Sequence, residues 1–452
     1  MSTRRRYRNY IDGEWQKTET DNWAPNINPA NTKDVIGELP LSSKGETEAA
    51  IAAAERALPG WRATPAPERG RLISRVHRLM TERIDELARS LTREEGKILP
   101  EAKGEVQKTL NILEFMAGEG MRLDGDTMPS ELANTFAYTV REPIGVVGAI
   151  TPWNFPVAIP GWKIAPALVA GNTVVFKPAS LTPETAELVI GMFVEAGLPR
   201  GVINLVYGSG SMVGQTIVED PRVKALSFTG SNEIGAGLYV DGAHRLKKVQ
   251  CEMGGKNPVL VLEDADIELA VEGTVQGAFG STGQRCTATS RAVVVDDIAD
   301  EFVGRVVEHA RGIVVGDGLA AETGMGPSVD QSRVDPDSKL AQEEIFGPVL
   351  AIIRVPDFET GLEVCNNTRY GLTSSIYTAD NSRAFRFIRG IDTGITHVNS
   401  PTMGGEAQLP FGGTKATGVG MREMGKTAID FYSEWKTVYI DYTGEKRDSL
   451  FY

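Results

Sequence analysis

Short apolar segments alternate with helical segments between residues 145 and 262, and this alternation constrains the fold more than any other feature of the chain. Strands are predicted over residues 145–150, 173–177, 202–206, 225–228, 248–251 and 258–262. Helices are predicted between them, near residues 159–170, 183–196, 212–218 and 233–239. Strands that alternate with helices form a parallel sheet of the doubly wound kind, which binds ligands at the carboxyl ends of its strands.

The flanking segments extend this α/β pattern. Residues 9–15 predict a short strand with a turn at Asp12-Gly13. Apolar spacing predicts helices over 47–58, 66–95 and 100–116. Pro59-Gly60 interrupts the pattern after the first of them. Further predicted segments are an exposed strand at 135–140, a second α/β set at 265–391 and an edge strand at 436–442.

Length and charge exclude several classes of protein. A chain of 452 residues is too long for one hydrophobic core, so two or three domains are expected. The net charge of −13 argues against a nucleic-acid partner, which requires a basic face. The longest apolar stretch, residues 156–176, contains Lys163, Asn172 and three prolines, so no membrane span is expected. The basic residues 1–8 lack the apolar segment of a secretory signal.

The chain carries three cysteines without CxxC spacing, which favours a reducing, cytoplasmic location and a fold without disulfides. Its four histidines are scattered without ligand spacing, so no metal site is expected. Cys251 and Cys365 are predicted to pack in the core. Cys286 differs, because it lies in a polar, glycine-containing turn (280–291) between a predicted helix and a predicted strand. Such a thiol can act as a nucleophile if a base or a helix N-terminus activates it; an inert free thiol is the alternative.

Four other motifs occur in order along the chain: PWNFP at 152–156, FTGS at 228–231, EMGGK at 252–256 and EEIFGP at 343–348. Each is weak evidence alone. Together with residues 280–291 they resemble the aldehyde dehydrogenase superfamily over nearly the whole chain. The resemblance implies an α/β fold with a variant Rossmann dinucleotide-binding domain, a second α/β catalytic domain and a small β oligomerisation ribbon.

The resemblance also implies domain boundaries and a homo-oligomer. The dinucleotide-binding domain would comprise residues 1–124 and 144–253, the catalytic domain 254–424, and the ribbon with its tail 125–143 and 425–452. The tail strand would lie beside the strand at 135–140. Sheet edges need covering, so a homodimer or homotetramer is expected.

The chemistry that the resemblance implies rests on Cys286, Glu252, Asn154 and Lys163. Cys286 would add to the aldehyde, while the Asn154 amide and the Cys286 backbone N–H would stabilise the oxyanion. Glu252 would activate the water that hydrolyses the thioester, and could help to deprotonate Cys286. Its presence favours release of a free acid over transfer to coenzyme A. The alternatives are a plain strand-end carboxylate for Glu252 and a solvated helix lysine for Lys163, which matches a lysine proposed for proton relay.

NAD or NADP is the implied cofactor. The residues expected to bind it are Trp153, Lys177, Ser180, Gly208, Gly230, Ser231, Gly254, Glu344 and Phe346. From the sequence alone Gly208 and Gly230 are plain turns, since neither begins a standard GxGxxG, and Glu343-Glu344 is a solvated helix face. Ser180 stands where many family members carry a glutamate for the ribose hydroxyls. A serine does not repel a 2′-phosphate, so NADP is favoured.

Three further stretches, 117–122, 281–290 and 404–413, are similar to the family members that oxidise α-ketoglutaric semialdehyde (2,5-dioxovalerate) to 2-oxoglutarate. The small aldehyde substrate would then carry a carboxylate, for which Arg285 is a candidate partner. Succinate semialdehyde and general aliphatic aldehydes are the alternatives.

One region departs from the family. Only residues 328–342 separate the Met-Gly-Pro motif at 325–327 from the EEIFGP motif, where the family has several dozen residues, and the junction falls near 331–335. A true deletion would expose apolar surface and could misplace Glu344. A third hypothesis is therefore a weakly active, cofactor-binding homologue.

Overall fold

The computed structural model describes residues 5–16, 21–329 and 342–444. Its strands, in chain order, are β1 (Tyr10–Ile11), β2 (Glu14–Trp15), β3 (Trp23–Ile27), β4 (Val35–Pro40), β5 (Thr127–Pro129), β6 (Thr135–Pro143), β7 (Val146–Ile150), β8 (Thr173–Lys177), β9 (Ile203–Leu205), β10 (Val223–Thr229), β11 (Lys248–Glu252), β12 (Asn257–Val261), β13 (Thr289–Val295), β14 (Ala351–Val355), β15 (Tyr370–Gly371), β16 (Thr373–Tyr377), β17 (Ile395–Val398), β18 (Thr414–Lys415), β19 (Gly418–Val419) and β20 (Ser433–Asp441). Its helices are α1 (Lys44–Ala63), α2 (Ala66–Glu82), α3 (Ile84–Glu95), α4 (Leu99–Glu119), α5 (Ala158–Val169), α6 (Pro183–Glu195), α7 (Gln215–Glu219), α8 (Asn232–His244), α9 (Ile267–Phe279), α10 (Asp296–Arg311), α11 (Phe358–Asn366), α12 (Asn381–Gly390) and α13 (Gly425–Phe431).

The first sheet has eight strands in the order β19-β11-β10-β7-β8-β9-β1-β2. Strands β11, β10, β7, β8 and β9 are parallel, and β1 and β19 join the two ends in antiparallel pairing. The chain winds from β7 outwards to β9, then returns to the other side of β7 to form β10 and β11. The carboxyl ends of β7 and β10 are therefore the point where strand order reverses, which is where doubly wound sheets bind ligands. The predicted parallel sheet is confirmed, but assigning the segment at 258–262 to it was wrong, because that segment forms β12 (Asn257–Val261) of the second sheet.

The second sheet has five parallel strands in the order β14-β13-β12-β16-β17. Its strands β12, β13 and β16 are almost fully buried, with apolar clusters on both faces. Continuous burial explains why the later residues of β12 and β13 are unbroken apolar runs rather than alternating patterns. The loop that carries Cys286 precedes β13, so it lies at the amino end of this sheet.

A three-stranded antiparallel sheet, β20-β6-β5, joins the end of the chain to an earlier segment. Strands β6 and β20 pair along nine residues, from Ser433 opposite Pro143 to Asp441 opposite Thr135. The predicted pairing of the tail strand with the strand at 135–140 is confirmed.

Two predicted helix boundaries were wrong. Helix α1 does not end at Pro59 but continues to Ala63. The hydrogen bond that proline removes is offset by Trp61, which is buried and donates its indole N–H to the Leu168 carbonyl at 3.1 Å. The pattern over 66–95 forms two helices, because Arg83 leaves helical geometry at φ −118° and ψ 25° between α2 and α3. Apolar spacing continues across this break, so periodicity could not reveal it.

The apolar stretch at 156–176 supplies helix α5 and strand β8. Every residue of α5 is buried, since it packs between the first sheet and helices α2 and α4. A helix that is apolar on all sides belongs to the core of a large protein or to a membrane. At twelve residues α5 is a core helix, and within the described residues no helix combines the length and apolarity of a membrane span.

Candidate active site

The predicted site residues converge where the carboxyl end of the first sheet faces the amino end of the second. Trp153 and Asn154 follow β7, and Lys177 ends β8. Gly230 follows β10, and Glu252 ends β11. The loop before β13 approaches from the opposite side, because the Asn154 side-chain N–H donates to the Gln284 carbonyl at 3.0 Å.

Cys286 is held by a strained turn and by a neighbouring amide. Ser281 and Thr282 have φ of 48° and 56°, values that side chains rarely adopt. Asn257 Nδ2 donates to the Cys286 carbonyl at 2.8 Å, which fixes the backbone at this cysteine. The cysteine is half-buried at the edge of the largest apolar cluster. Burial raises the pKa of its thiol to about 12, while the nearby Lys108 ammonium acts in the opposite direction.

Asn154 is buried, and its position depends on an ion pair in the core. The ammonium of Lys97 donates to the Asn154 carbonyl at 2.7 Å and to a Glu105 carboxylate oxygen at 2.7 Å. The other oxygen of Glu105 accepts from the backbone N–H of Val157 at 2.8 Å, at the start of α5. A buried pair that satisfies its hydrogen bonds in this way fixes geometry. Lys97 and Glu105 therefore orient the segment that carries Asn154.

Glu252 is buried at the end of β11, and one of its carboxyl oxygens has no hydrogen-bond partner. Its other oxygen lies against Gly412, where a Cβ would approach to 2.2 Å. Glycine at position 412, with φ of 148°, therefore makes room for the carboxyl group. Burial raises the pKa of Glu252 well above its usual range, and the charge of Glu423 adds to this shift. Both effects favour the protonated form of the Glu252 carboxyl group.

Lys163 is fully buried on α5, so the alternative of a solvated helix lysine was wrong. Its ammonium forms an ion pair with Glu423 and donates to the Ser227 hydroxyl at 2.9 Å. Glu423 also lies close enough to Glu252 to raise its pKa. Lys163, Glu423 and Glu252 thus form a connected charged cluster beneath the cleft.

The rate of catalysis is expected to rise with pH through the neutral and alkaline range. Glu252 can act as a base, and Cys286 as a nucleophile, only after losing a proton, and the pKa values of both are raised. The deprotonated fraction then grows up to about tenfold per pH unit below those pKa values. We would measure kcat/KM from about pH 6 to about pH 10, because this ratio reports groups of the free enzyme. A profile that is flat through this range would contradict the raised pKa values.

Glu344 and Phe346 reach the cleft from the segment that follows residue 341. A carboxylate oxygen of Glu344 accepts from the Gly255 backbone N–H at 2.9 Å. A Cβ at Gly254 would lie 2.0 Å from the other oxygen, so only glycine permits this approach. The Phe346 ring meets the Trp153 ring edge-on at 5.6 Å between centroids. The shortening before Glu344 therefore leaves its carboxylate in the cleft.

The other predicted cofactor residues lie at strand ends of the first sheet. Burial lowers the pKa of Lys177 to about 8, and its ammonium donates to the Pro178 carbonyl at 3.0 Å. Ser231 is exposed at the N-cap of α8, and its side chain makes no cap hydrogen bond. A helix N-terminus with a free hydroxyl suits a phosphate group. The remaining members of this set, Ser180, Gly208 and Gly230, lie in the turns after β8, β9 and β10. The arrangement fits a dinucleotide, and these assignments stay predictions.

A cavity of about 890 Å³ opens beside Cys286. Aromatic side chains form much of its wall, and its cations are Arg285 and Lys108. Arg285 lines the cavity as an anion-binding role requires, but its guanidinium already pairs with Glu101 at 3.2 Å and donates to the Ser281 hydroxyl at 2.9 Å.

The sequence did not single out Lys97, Glu105, Lys108 or Glu423. Glu105 and Lys108 lie three residues apart within an apolar helical pattern, which is a position where charge indicates a buried pair or a cavity wall. That signal was available for α4. Glu423 lies in a glycine-rich loop without periodicity, and nothing in its local sequence links it to Lys163.

Two parallel sheets that meet at a cleft with a cysteine, a buried carboxyl group and an amide donor define an oxidoreductase fold built for a dinucleotide and an electrophilic carbonyl substrate. The aldehyde dehydrogenase family model matches residues 15–335 and 332–438, and the chain belongs to this family. It is thus an oxidoreductase that acts on aldehydes with NAD or NADP, as predicted.

Relatives cover nearly the whole chain. The α-ketoglutaric semialdehyde dehydrogenase of Bacillus subtilis is 42% identical over 96% of this chain and 98% of its own length. The succinate-semialdehyde dehydrogenase [NADP(+)] of Escherichia coli is 38% identical over 95% of this chain and 97% of its own length. The crystal structure of Staphylococcus aureus betaine aldehyde dehydrogenase in complex with NAD+ superposes with a TM-score of 0.94 and 31% identity, covering 98% of this chain and 96% of that one.

The comparisons bear on the predicted shortening. The two matched segments of the family model meet at residues 332–335. The alignment with the Bacillus subtilis enzyme spans 477 positions, more than the 452 residues of this chain, so that relative contains residues without a counterpart here. The predicted junction itself lies outside the described residues. On the described side of it, Val314 and Val315 are exposed by more than half.

Proposed function

We propose that this enzyme oxidises α-ketoglutaric semialdehyde to 2-oxoglutarate, using NAD or NADP with a preference for NADP. The observation that carries this proposal is the cavity beside Cys286, which combines aromatic walls with cationic side chains suited to a short aldehyde bearing a carboxylate. The name of the Bacillus subtilis relative supports the choice of substrate. Succinate semialdehyde is the second candidate, supported by the Escherichia coli relative.

In the proposed reaction the Cys286 sulfur adds to the aldehyde carbon after the thiol loses its proton. The resulting oxyanion is stabilised by the Asn154 side-chain amide and the Cys286 backbone N–H. NAD or NADP, which Lys177, Glu344 and Phe346 among others would hold, would supply the hydride acceptor that turns the adduct on Cys286 into a thioester. Asn154 donates one amide hydrogen to Gln284 and keeps the second for the oxyanion.

Glu252 then deprotonates the water that attacks the thioester carbon, and Cys286 leaves as the thiolate. The carboxyl oxygen of Glu252 that has no hydrogen-bond partner is available for this water. Protons leave the site through the buried cluster, in which Lys163 and Glu423 already form an ion pair. The end product is a free carboxylic acid.

The experiment that tests the substrate follows the absorbance of reduced cofactor with α-ketoglutaric semialdehyde, succinate semialdehyde and a neutral aliphatic aldehyde. The highest kcat/KM is expected with α-ketoglutaric semialdehyde. A higher value with succinate semialdehyde would establish the second candidate. Absence of turnover with all three, together with retained nucleotide binding, would support the weakly active homologue.

Ser180 is proposed to permit NADP, and Ser180→Glu is expected to shift the cofactor preference towards NAD by about tenfold to a hundredfold. A carboxylate repels the 2′-phosphate of NADP and accepts hydrogen bonds from ribose hydroxyls. We would compare kcat/KM for NADP and NAD in both enzymes, with Ser180→Ala as the uncharged control. Equal or better efficiency with NAD in the unsubstituted enzyme would contradict the preference for NADP.

The proposed domains keep the boundaries inferred from the sequence. Residues 1–124 and 144–253 bind the dinucleotide, residues 254–424 carry the nucleophile, and residues 125–143 with 425–452 form the ribbon and tail. The division is supported by the three sheets, although β19 from the second segment pairs with β11 of the first. Limited proteolysis that released fragments with other ends would contradict these boundaries.

A homodimer or homotetramer is part of the proposal. The ribbon exposes large apolar side chains, namely Phe136, Trp435 and Tyr439, each about half exposed or more. Exposed aromatic patches of this kind mark protein interfaces. Light scattering of the purified protein is expected to give the mass of two or four chains, and the mass of one chain would contradict the proposal.

A further inference from the structure

The cavity beside Cys286 contains one cation whose charge is not compensated. Lys108 extends from α4 into this cavity, and its ammonium lies 5.1 Å from the centre of the Trp162 ring and 5.5 Å from that of Phe411. Within residues 5–16, 21–329 and 342–444, no carboxylate forms an ion pair with Lys108 and no acceptor takes a hydrogen bond from it. Aromatic faces stabilise a cation without using its N–H groups. Its three N–H donors therefore remain available.

The carboxylates around Lys108 are committed elsewhere or lie at the rim. Glu105, one turn earlier on α4, accepts from Lys97 and from the backbone at the start of α5. Glu101 pairs with Arg285. Glu114 and Glu406 line the cavity but are exposed to solvent, where their charge is screened. Lys108 therefore lines the cavity without a paired carboxylate among the described residues.

An ammonium group in this position is costly unless an anion joins it. Burial lowers the pKa of Lys108, and the charges of Cys286 and Glu105 act in the opposite direction. A carboxylate that entered the cavity would relieve this cost by forming a charge-assisted hydrogen bond. Lys108 and Cys286 line the same cavity, so one short molecule can meet both.

We propose that the Lys108 ammonium, held against Trp162 and Phe411, binds the carboxylate at the far end of the substrate while Cys286 attacks the aldehyde at the near end. This inference rests on the proposed function in requiring an anionic aldehyde, but not on which semialdehyde it is. Arg285, already paired with Glu101, shapes the wall of the cavity instead. Lys108 thereby selects short aldehydes that carry a terminal carboxylate.

The test compares Lys108→Met with the unsubstituted enzyme on α-ketoglutaric semialdehyde, succinate semialdehyde and butanal. Losing a hydrogen bond to a charged group is expected to raise KM for the semialdehydes by about 10- to 100-fold. KM for butanal should change by less than about threefold, because butanal has no far carboxylate, whereas loss of the Lys108 charge beside the Cys286 thiol should lower kcat for all three aldehydes alike. Lys108→Arg retains the charge and is expected to restore most of the affinity for semialdehydes. Lys103→Met, which removes an exposed lysine of the same helix, is the matched control.

A binding measurement separates this inference from the proposed function. Titration calorimetry with glutarate, a five-carbon dicarboxylate, should show binding to the unsubstituted enzyme and at least tenfold weaker binding to Lys108→Met. Preference for succinate semialdehyde with the same dependence on Lys108 would overturn the proposed substrate and support the inference. The enzyme could turn over α-ketoglutaric semialdehyde while Lys108→Met changed KM equally for charged and neutral aldehydes, or changed neither KM. That result would overturn the inference and leave the proposed substrate standing. Equal glutarate binding by both proteins, or none by the unsubstituted enzyme, would also overturn the inference. The inference would also be overturned if Lys108→Met changed only the pH dependence of Cys286 alkylation.

Discussion

Cys286→Ala is expected to reduce dehydrogenase turnover by at least about a thousandfold, because no other described group in the cavity can form the thioester. The other two cysteines cannot substitute for it. Cys251 and Cys365 are buried in separate apolar clusters, and burial raises the pKa of each to about 12 without exposing the sulfur to the cavity. The alanine variant should keep its fold, since Cys286 is only half-buried and makes its structural hydrogen bond through its backbone carbonyl.

Turnover would be measured as reduced cofactor formed with α-ketoglutaric semialdehyde, alongside fluorescence titration of NADP binding. Cys365→Ala is the matched control, because it removes a buried thiol from α11, which packs on the second sheet away from the cleft, and it should retain activity. Cofactor binding by Cys286→Ala should be unchanged within about threefold, as expected for a residue that acts on the acyl group. Substantial dehydrogenase activity in Cys286→Ala would refute the covalent mechanism.

Glu252→Gln is expected to lower steady-state kcat by about a hundredfold to ten-thousandfold, the range for loss of a general base. The amide has nearly the same shape, so Gly412 still accommodates it, but it cannot take a proton from water. Acyl groups would then accumulate on Cys286. Stopped-flow absorbance should show a burst of about one equivalent of reduced cofactor per active site before turnover stalls.

The burst itself distinguishes the two tasks assigned to Glu252. A slower burst of full amplitude would mean that Glu252 also deprotonates Cys286, while an unchanged burst rate would confine it to hydrolysis. Glu219→Gln is the control, because this exposed carboxylate on α7 lies outside the cleft. If Glu252→Gln retained the steady-state rate of the unsubstituted enzyme, another group would have to activate the water.

The alternation of strands and helices was sufficient to predict the first sheet, with most boundaries correct within two residues. This succeeded because strands such as β7 and β8 are buried along their whole length and therefore consist mainly of apolar residues bounded by turn residues. The break at Arg83 and the continuation of α1 through Pro59 were missed, since tertiary contacts decide both. Local periodicity carries no information about the hydrogen bond from Trp61 to Leu168.

For the site, motifs predicted which residues come together but not what holds them. Cys286, Glu252 and Asn154 were placed by resemblance, and the structure brings their segments to one cleft. The supporting pairs, Lys97 with Glu105 and Lys163 with Glu423, join residues on different elements. Lys163 and Glu423 are 260 residues apart in the chain. No pattern along a single sequence encodes such a pairing, which is why Lys163 could also be interpreted as a solvated lysine.

Because β19 comes late in the chain, its pairing with β11 completes the edge of the first sheet only near the end of synthesis. The five parallel strands of the first sheet are complete once residue 252 has left the ribosome, but β19 joins β11 through Glu252 opposite Gly418. Glu423, the counter-charge of the buried Lys163, also emerges near the end of the chain. Nascent domains ordinarily fold as units, from the amino terminus onwards. Here the first unit would hold an unneutralised ammonium and an open sheet edge until some 170 more residues had been added, at ordinary synthesis rates a delay of about 10 to 30 seconds. We therefore expect released chains truncated shortly after residue 260 to engage chaperones, and released full-length chains to be free of them.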